Sequence, residues 1–470
     1  MSSKDLSEVN QENPIIEYGK WLATHPKIWS EETIKSTLLQ FVDLLAVTIP
    51  GSQEPVTKDV IKTVESWGAG SSTLICNKKS LSAPWAALVN GTAAHALDFD
   101  DNFDPAKAHA SAVLIPAILA LAEENQLGGI QCIDAYICGL QIMGKVGQGL
   151  NPYHRNRGWH ATATVGAIGA SAACARLLGL NQDQSSFALS ISTSLASGFM
   201  SQFGTKMKPL HSGLAAKSGT IAASLAKNNI TAGLQTFDGI NGMNYLMIGQ
   251  DYEQLKESIS KPQHGQTLKF DTKNIEEPLH LDFYGFRVKR FPNCGSAHRA
   301  MDIMLNLRNK LNLTPEKIKK ITVEAPISHL NNLMYNNPKN SMEAKFSMQF
   351  ALSCILNLGR CGLSEFKETQ ISCPDLKNIY DKIELIGVDK SEIEIPTKLT
   401  IKLVDGSEIE EKTFFPVGSK NHPFSDAEYW NKFEECSKIH LTKRNYTNLR
   451  NNLEKLDKLE SISTLMKELK

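Results

Sequence analysis

Two kinds of hydrophobic patterning divide the chain near residue 275. Upstream, small and apolar residues recur at helical spacing. "HATATVGAIGASAACARLLGL" (160–180) and "HSGLAAKSGTIAASLAKNN" (211–229) carry Ala, Gly and Ser where buried helix faces fall. Small faces let helix axes approach closely, and since glycine lowers helix propensity, tertiary packing has to stabilise these helices. Downstream, "KKITVEAP" (319–326), "KIELIGV" (382–388) and "TKLTIKLVDGSEIEEKTFF" (397–415) alternate apolar and polar positions, which predicts strands. The Asp405-Gly406 pair in the last of these predicts a hairpin. At the end, Leu449, Leu453, Leu456, Leu459, Ile462, Leu465 and Leu469 step by three or four, which predicts one amphipathic helix docked on the body. The pattern is that of a mainly α protein: a large all-helical domain and a smaller α+β domain around 278–415.

Composition removes several function classes. A chain of 470 residues is long enough for two domains. Fifty Lys and Arg balance fifty Asp and Glu, so no global field recruits nucleic acid or a membrane surface. The nine cysteines include no C-x-x-C pair, which argues against a zinc knuckle or a thioredoxin-type motif. "MSSKDLSEVNQENP" has no apolar core and does not read as a signal peptide. The longest apolar run, Ala112 to Ala122, contains Pro116 and is short of the roughly 18 residues of a membrane span. The expectation is a cytoplasmic protein with reduced thiols.

One stretch concentrates chemistry. "HALDFDDNFDPAKAH" (95–109) brings Asp98, Asp100, Asp101 and Asp104 together between two histidines. "DDNFD" matches the D-D-x-x-D pattern by which helical prenyl-transferring enzymes hold magnesium and diphosphate, but the helical part offers no second acidic motif to face it. A calcium loop fails as well, because Phe103 stands where the loop requires Gly and His109 where it requires Glu. No metal is expected.

The surroundings are cationic. Five of the twelve histidines (His95, His109, His154, His160, His211) fall between 95 and 211. Arg155 and Arg157 precede "GWHATAT", and Lys206 and Lys208 sit in "FGTKMKPLHSGLAAK". Two of these groups stand just before the small-residue helices, where first-turn N–H groups and the helix dipole favour an anion. This reads as a pocket for a small polycarboxylate or a phosphorylated compound. A purely helical interaction protein would give the Lys and His groups no reason to coincide with helix starts. His95 and His154 read as caps or packed polar groups; His25, His264, His280, His422 and His440 read as solvated.

"NGTAAHALDFDD", "HASAVLIPAILALAEE", "RGWHATATVGAIGASAACARLLGL", "KPLHSGLAAKSGTIAASLA" and "KRFPNCGSAHRAMD" follow one another in the order seen in the MmgE/PrpD family. That family includes 2-methylcitrate dehydratases, cis-aconitate decarboxylases and iminodisuccinate epimerases. The resemblance implies a helical domain (1–275) completed by the C-terminal segment (417–470), a smaller α+β lid domain (276–416), a homodimer, and catalysis without metal or organic cofactor. It places the catalytic positions on Asp98, His109, His160 and Lys208, with Lys289 as the matching lysine on the lid. His211, Lys206 and Arg157 complete the expected substrate-binding set. By this reading Lys208 clamps a carboxylate, Lys289 closes on it, His109 and His160 carry protons, and Asp98 orients an imidazole. Asp100, Asp101 and Asp104 are left as caps and loop ties.

Two departures bear on the reaction. Many members read His-Pro-Ser where this chain has His109-Ala110-Ser111, and the segment between Asp98 and His109 is one residue longer than in the decarboxylases. The decarboxylases also use a lid tyrosine shortly after the strand written here "ITVEAPISHL", where this chain offers His329 and Leu330, with Tyr335 further on. The resulting expectation is a cofactor-independent hydro-lyase on a small di- or tricarboxylate, with epimerisation and cis-aconitate decarboxylation as alternatives. No nucleic-acid or membrane partner is expected.

Overall fold

The computed structural model describes residues 13–470, so the reading of "MSSKDLSEVNQENP" falls almost wholly outside the described residues. The first helices are α1 (Pro14–Thr24), α2 (Glu31–Gly51), α3 (Pro55–Val64), α4 (Ala83–His95) and α5 (Ala110–Glu124). They are followed by α6 (Gly129–Leu150), α7 (Tyr153–Asn156), α8 (Ala161–Leu177), α9 (Gln182–Thr193) and α10 (Met207–Lys227). The small-residue runs form α8 and α10, as their spacing predicts. Every residue of α8 is buried, which is why its apolar positions show no polar side.

Close approach is what the small residues are for. At Gly213 of α10, a Cβ would lie 2.2 Å from the Leu88 carbonyl oxygen of α4, so any side chain would push the two axes apart. That crossing carries His95, at the end of α4, towards Lys208 at the start of α10. The helical domain also holds a small ribbon, Ala69–Thr73 paired antiparallel with Ser80–Leu81, so it is not all-helical. Helix α2 is long and apolar enough to cross a membrane by composition, but 72% of that stretch is buried inside the protein, and charged Asp43 lies within it.

A second hydrophobic core begins at Phe291. Its four-stranded sheet has the order Ile383–Val388, Ile318–Pro326, Thr397–Leu403, Glu408–Thr413. The first pair is parallel and the other two antiparallel. Ile321, Val323, Leu399 and Ile401 point their alternate side chains onto helices His298–Leu311 and Met348–Leu358. The Asp405-Gly406 turn joins the last two strands, with Gly406 at φ +90°. Ile275, Leu281, Phe286 and Val288 pack in the first core, together with Leu449, Leu453, Leu456, Ile462, Leu465 and Leu469 of the tail.

The tail docks, but not as one helix. It runs as Lys443–Leu453 followed by the short turns Leu456–Lys458, Ser463–Met466 and Lys467–Leu469. The break is a backbone exchange: Gly129 N–H donates to the Leu459 carbonyl at 2.8 Å, and Ile462 N–H to the Leu127 carbonyl at 2.8 Å. Those groups satisfy the start of α6 and cannot also serve a continuous tail helix.

Candidate active site

A cavity of about 620 Å³ lies between the two cores and is lined by Asp98, His109, His160, Lys208 and Lys289 among others. Its floor is the loop between α4 and α5. That loop is held by paired backbone bonds between Asn102 and Arg287 at 3.0 and 2.9 Å, which also bring Lys289 alongside Asp98. Lys289 therefore sits in the connection between the domains, tied to the helical side. Beneath it, Lys432 of helix Asp426–Ser437 bonds the Phe99 and Lys289 carbonyls, each at 3.0 Å, and pairs with Asp43 at 2.7 Å. The C-terminal segment thus supports the site from below.

Asp98 is the charge centre, and its backbone is in the left-handed region at φ +52°, which Asp tolerates better than most residues. Its Oδ1 accepts from Lys208 Nζ at 2.7 Å and Lys289 Nζ at 2.8 Å. Burial alone would raise its pKa, but the two ammonium groups hold the carboxyl well below the usual carboxylate range. Burial would conversely lower Lys289, and Asp98 raises it instead. The Lys208 ammonium also lies 5.5 and 5.0 Å from the ring centroids of Phe203 and Phe346, where cation–π attraction adds to the pairing.

The imidazoles form a second layer. His109 caps the start of α5, and its Nδ1 lies 2.7 Å from the Asp101 carbonyl. A carbonyl only accepts, so Nδ1 carries the proton and neutral His109 keeps its lone pair on Nε2, 4.0 Å from Asp98 Oδ1. His160 precedes α8, and its Nδ1 meets His211 Nδ1 at 3.0 Å. Burial, reinforced by Lys208, puts His160 well below the ordinary histidine value, and burial likewise lowers His109. Both are neutral bases at neutral pH.

The carboxylate nearest the His95 and His109 Nδ1 atoms is Asp100 rather than Asp98. His95 Nδ1 lies 2.8 and 2.9 Å from the two Asp100 oxygens, and His109 Nδ1 is 3.3 Å from Oδ2. The rings of His95 and His109 approach to 4.3 Å. The two imidazoles beside Asp100 outweigh the effect of burial and hold its carboxyl well below the usual range, while burial drops His95 to about 3. Sequence alone left His95 as a packed cap and Asp100 as a loop tie; the structure joins both to the site. The five-residue spacing across a helix end was the available signal.

The remaining aspartates do tie the loop. Asp101 Oδ1 accepts from Ser111 N–H at 3.4 Å, and burial pushes its carboxyl up to about 7. Asp104 is bonded to Arg287. Lys345 was not foreseen: its Nζ donates to the Ala96 carbonyl at 2.9 Å, and burial lowers it to about 8.

Two expected substrate-binding residues lie elsewhere. Lys206 is exposed and pairs with Asp59 at 2.6 Å; Arg157 is exposed and pairs with Asp251 at 2.7 Å. His211 is buried behind His160 and does not line the cavity. His280, expected to be solvated, is fully buried, and Gly144 exists to clear its ring: a Cβ there would stand 2.0 Å from His280 Nδ1. His329 lines the cavity and lies 3.1 Å from Glu392, whereas Tyr335 is half-buried outside it.

His95, Asp98, Asp100 and His109 are close enough to form a cation site, as are Asp104, His264 and Glu392. The oxygens nearest the cations are already committed, while Asp98 Oδ2 and His95 Nε2 carry no hydrogen bond among the described residues. Asp98 Oδ1 serves two ammonium groups, and Glu392 serves Arg287 at 3.0 Å and Lys107 at 3.4 Å. Positive charge already occupies both centres and would repel a divalent ion. Activity is expected to be unchanged after exhaustive EDTA dialysis; loss of turnover that magnesium restores would contradict this.

The MmgE/PrpD N-terminal domain matches residues 20–255 and the MmgE/PrpD C-terminal domain residues 291–457. The chain belongs to the MmgE/PrpD family. It is 26% identical over 459 residues to the cis-aconitate decarboxylase of Mus musculus, covering 93% of this chain and 89% of the relative. Against the cis-aconitate decarboxylase of Homo sapiens it is 25% identical over 464 residues, covering 93% and 91%. A cis-aconitate decarboxylase-like protein of Aspergillus oryzae is 22% identical, covering 90% of each chain.

Proposed function

We propose that this chain is a lyase acting on a small polycarboxylate through proton transfer at a carbon beside a carboxylate, and that dehydration of the 2-methylcitrate type is its reaction. The observation that carries this reading is the meeting of two ammonium groups on Asp98 with the neutral imidazoles of His109 and His160 at one cavity. Removing a proton next to a carboxylate builds negative charge on that group, which fixed cations stabilise where water is excluded. His109 Nε2 takes the proton from carbon, with His160 as the second proton carrier at the same cavity. The released electron pair forms the double bond as the neighbouring C–O bond breaks, and the hydroxyl leaves as water with a proton returned by the imidazolium. Lys208 and Lys289 hold the carboxylate throughout.

Neutral imidazoles favour this order of events, since elimination begins with a base. Decarboxylation is the second reading, favoured by the similarity to proteins named cis-aconitate decarboxylases. There the C–C bond to a carboxylate breaks, carbon dioxide leaves, and the carbanion must receive a proton. His329, not Tyr335, stands at the cavity wall after strand Ile318–Pro326, which weighs against that route.

A panel of 2-methylcitrate, citrate and cis-aconitate incubated in deuterated water decides between them. Enoate absorbance rising from the hydroxylated substrates is the expected result. Carbon dioxide release from cis-aconitate without that rise would favour decarboxylation. Deuterium entering unconverted substrate with neither product would turn the assignment towards an isomerase.

A further inference from the structure

Arg155 and Arg287 both line the cavity, but their pairing differs. Arg287 is bonded to Asp104 and Glu392. Arg155 has no carboxylate partner among the described residues; its Nη2 donates to Asn332 Oδ1 at 2.8 Å. Asn332 is held in turn, its Nδ2 donating to Ser296 Oγ at 2.9 Å, so its amide oxygen is fixed towards the arginine. A guanidinium carries five N–H donors, and a half-buried one without an anion is costly unless something negative visits it. Burial lowers the Arg155 pKa, and the neighbours it senses are Cys294, Glu392 and Arg287. Arg155 stands five positions before His160, on the one-turn helix α7, and reaches the same cavity.

We propose that Arg155, positioned by Asn332 from the second domain, binds the substrate carboxylate remote from the reacting carbon and so determines specificity for chain length and carboxylate number. This rests on the polycarboxylate reading above. Lys208 and Lys289 grip the carboxylate beside the reacting carbon, and Arg155 receives the one at the far end as a two-pronged pair. Because Asn332 belongs to the second domain, the grip on the far carboxylate also depends on the two domains being together.

The test uses unreactive ligands, so binding is read apart from turnover. Titration calorimetry compares tricarballylate with succinate, which lacks one terminal arm, on wild type, Arg155→Gln, Arg155→Lys and Asn332→Ala. Arg155→Gln is expected to weaken tricarballylate by about 10–100-fold, the range of a charge-assisted hydrogen bond, and to leave succinate within twofold. Arg155→Lys keeps charge but loses the fork, and Asn332→Ala frees the arginine; each is expected to show a smaller loss confined to tricarballylate. Equal weakening of both ligands, or none for tricarballylate, overturns the assignment while leaving the lyase reading intact. If wild type binds neither ligand, both fall together. Circular dichroism identifies a variant that fails to fold, in which case the remaining two variants decide.

Discussion

Replacing His160 with alanine is expected to lower kcat by about 10²–10⁴-fold, the usual worth of a positioned acid–base group, with circular dichroism unchanged. The backbone at this position is secured without the ring, since the His160 N–H donates to the Gly198 carbonyl at 2.9 Å and α8 is buried along its length. The ring itself is placed by His211 and kept neutral by burial and by Lys208. Arg157→Ala and Lys206→Ala supply the contrast. Both side chains pair at the surface and should leave kcat/KM within about twofold, because exposed pairs contribute little. An Arg157 variant as impaired as the His160 variant, or a His160 variant with near-normal turnover, would overturn this distribution of roles.

That contrast also marks how far the sequence could be read. Helices α8 and α10 and the Asp405-Gly406 hairpin follow from local periodicity and turn chemistry, which need no knowledge of distant residues. Arg155 and Arg157 are indistinguishable at that level. They flank Asn156 at the end of a single helical turn, where a shift of two positions carries a side chain to the other side of the helix. One reaches the cavity and the other meets Asp251 in solvent.

The aspartate roles were similarly out of reach. Asp98 and Asp100 alternate along the same loop, and only the arrival of Lys208 and Lys289 from distant segments decides which one meets ammonium groups and which one meets His95. The broken tail has the same cause. Its apolar spacing is continuous, but the start of α6 requires backbone partners that a continuous helix would withhold.

Asp98→Asn is expected to destabilise the substrate-free protein by about 3–5 kcal/mol, the cost of leaving buried charge without its counterpart. The amide would keep the shape of the side chain but could not neutralise Lys208 and Lys289, both buried and both within 2.8 Å of the lost charge. Urea denaturation of wild type and variant measures the gap. The pH dependence follows from the direction of each shift. The Asp98 pKa is depressed, so its contribution is present above the unfolded value of about 3.9 and is lost as pH falls through the lower folded value. The Lys289 pKa is raised, so its contribution is present below the unfolded value of about 10.4 and is lost as pH rises through the folded one. Between about pH 5 and 9 the gap should therefore be flat, narrowing only outside that window. Combining Asp98→Asn with Lys208→Met should recover part of the loss, since one of the two orphaned ammonium groups is gone. A gap below about 1 kcal/mol, the range of an exposed pair, would mean that the lysines find water in the cavity and that Asp98 is not what holds them.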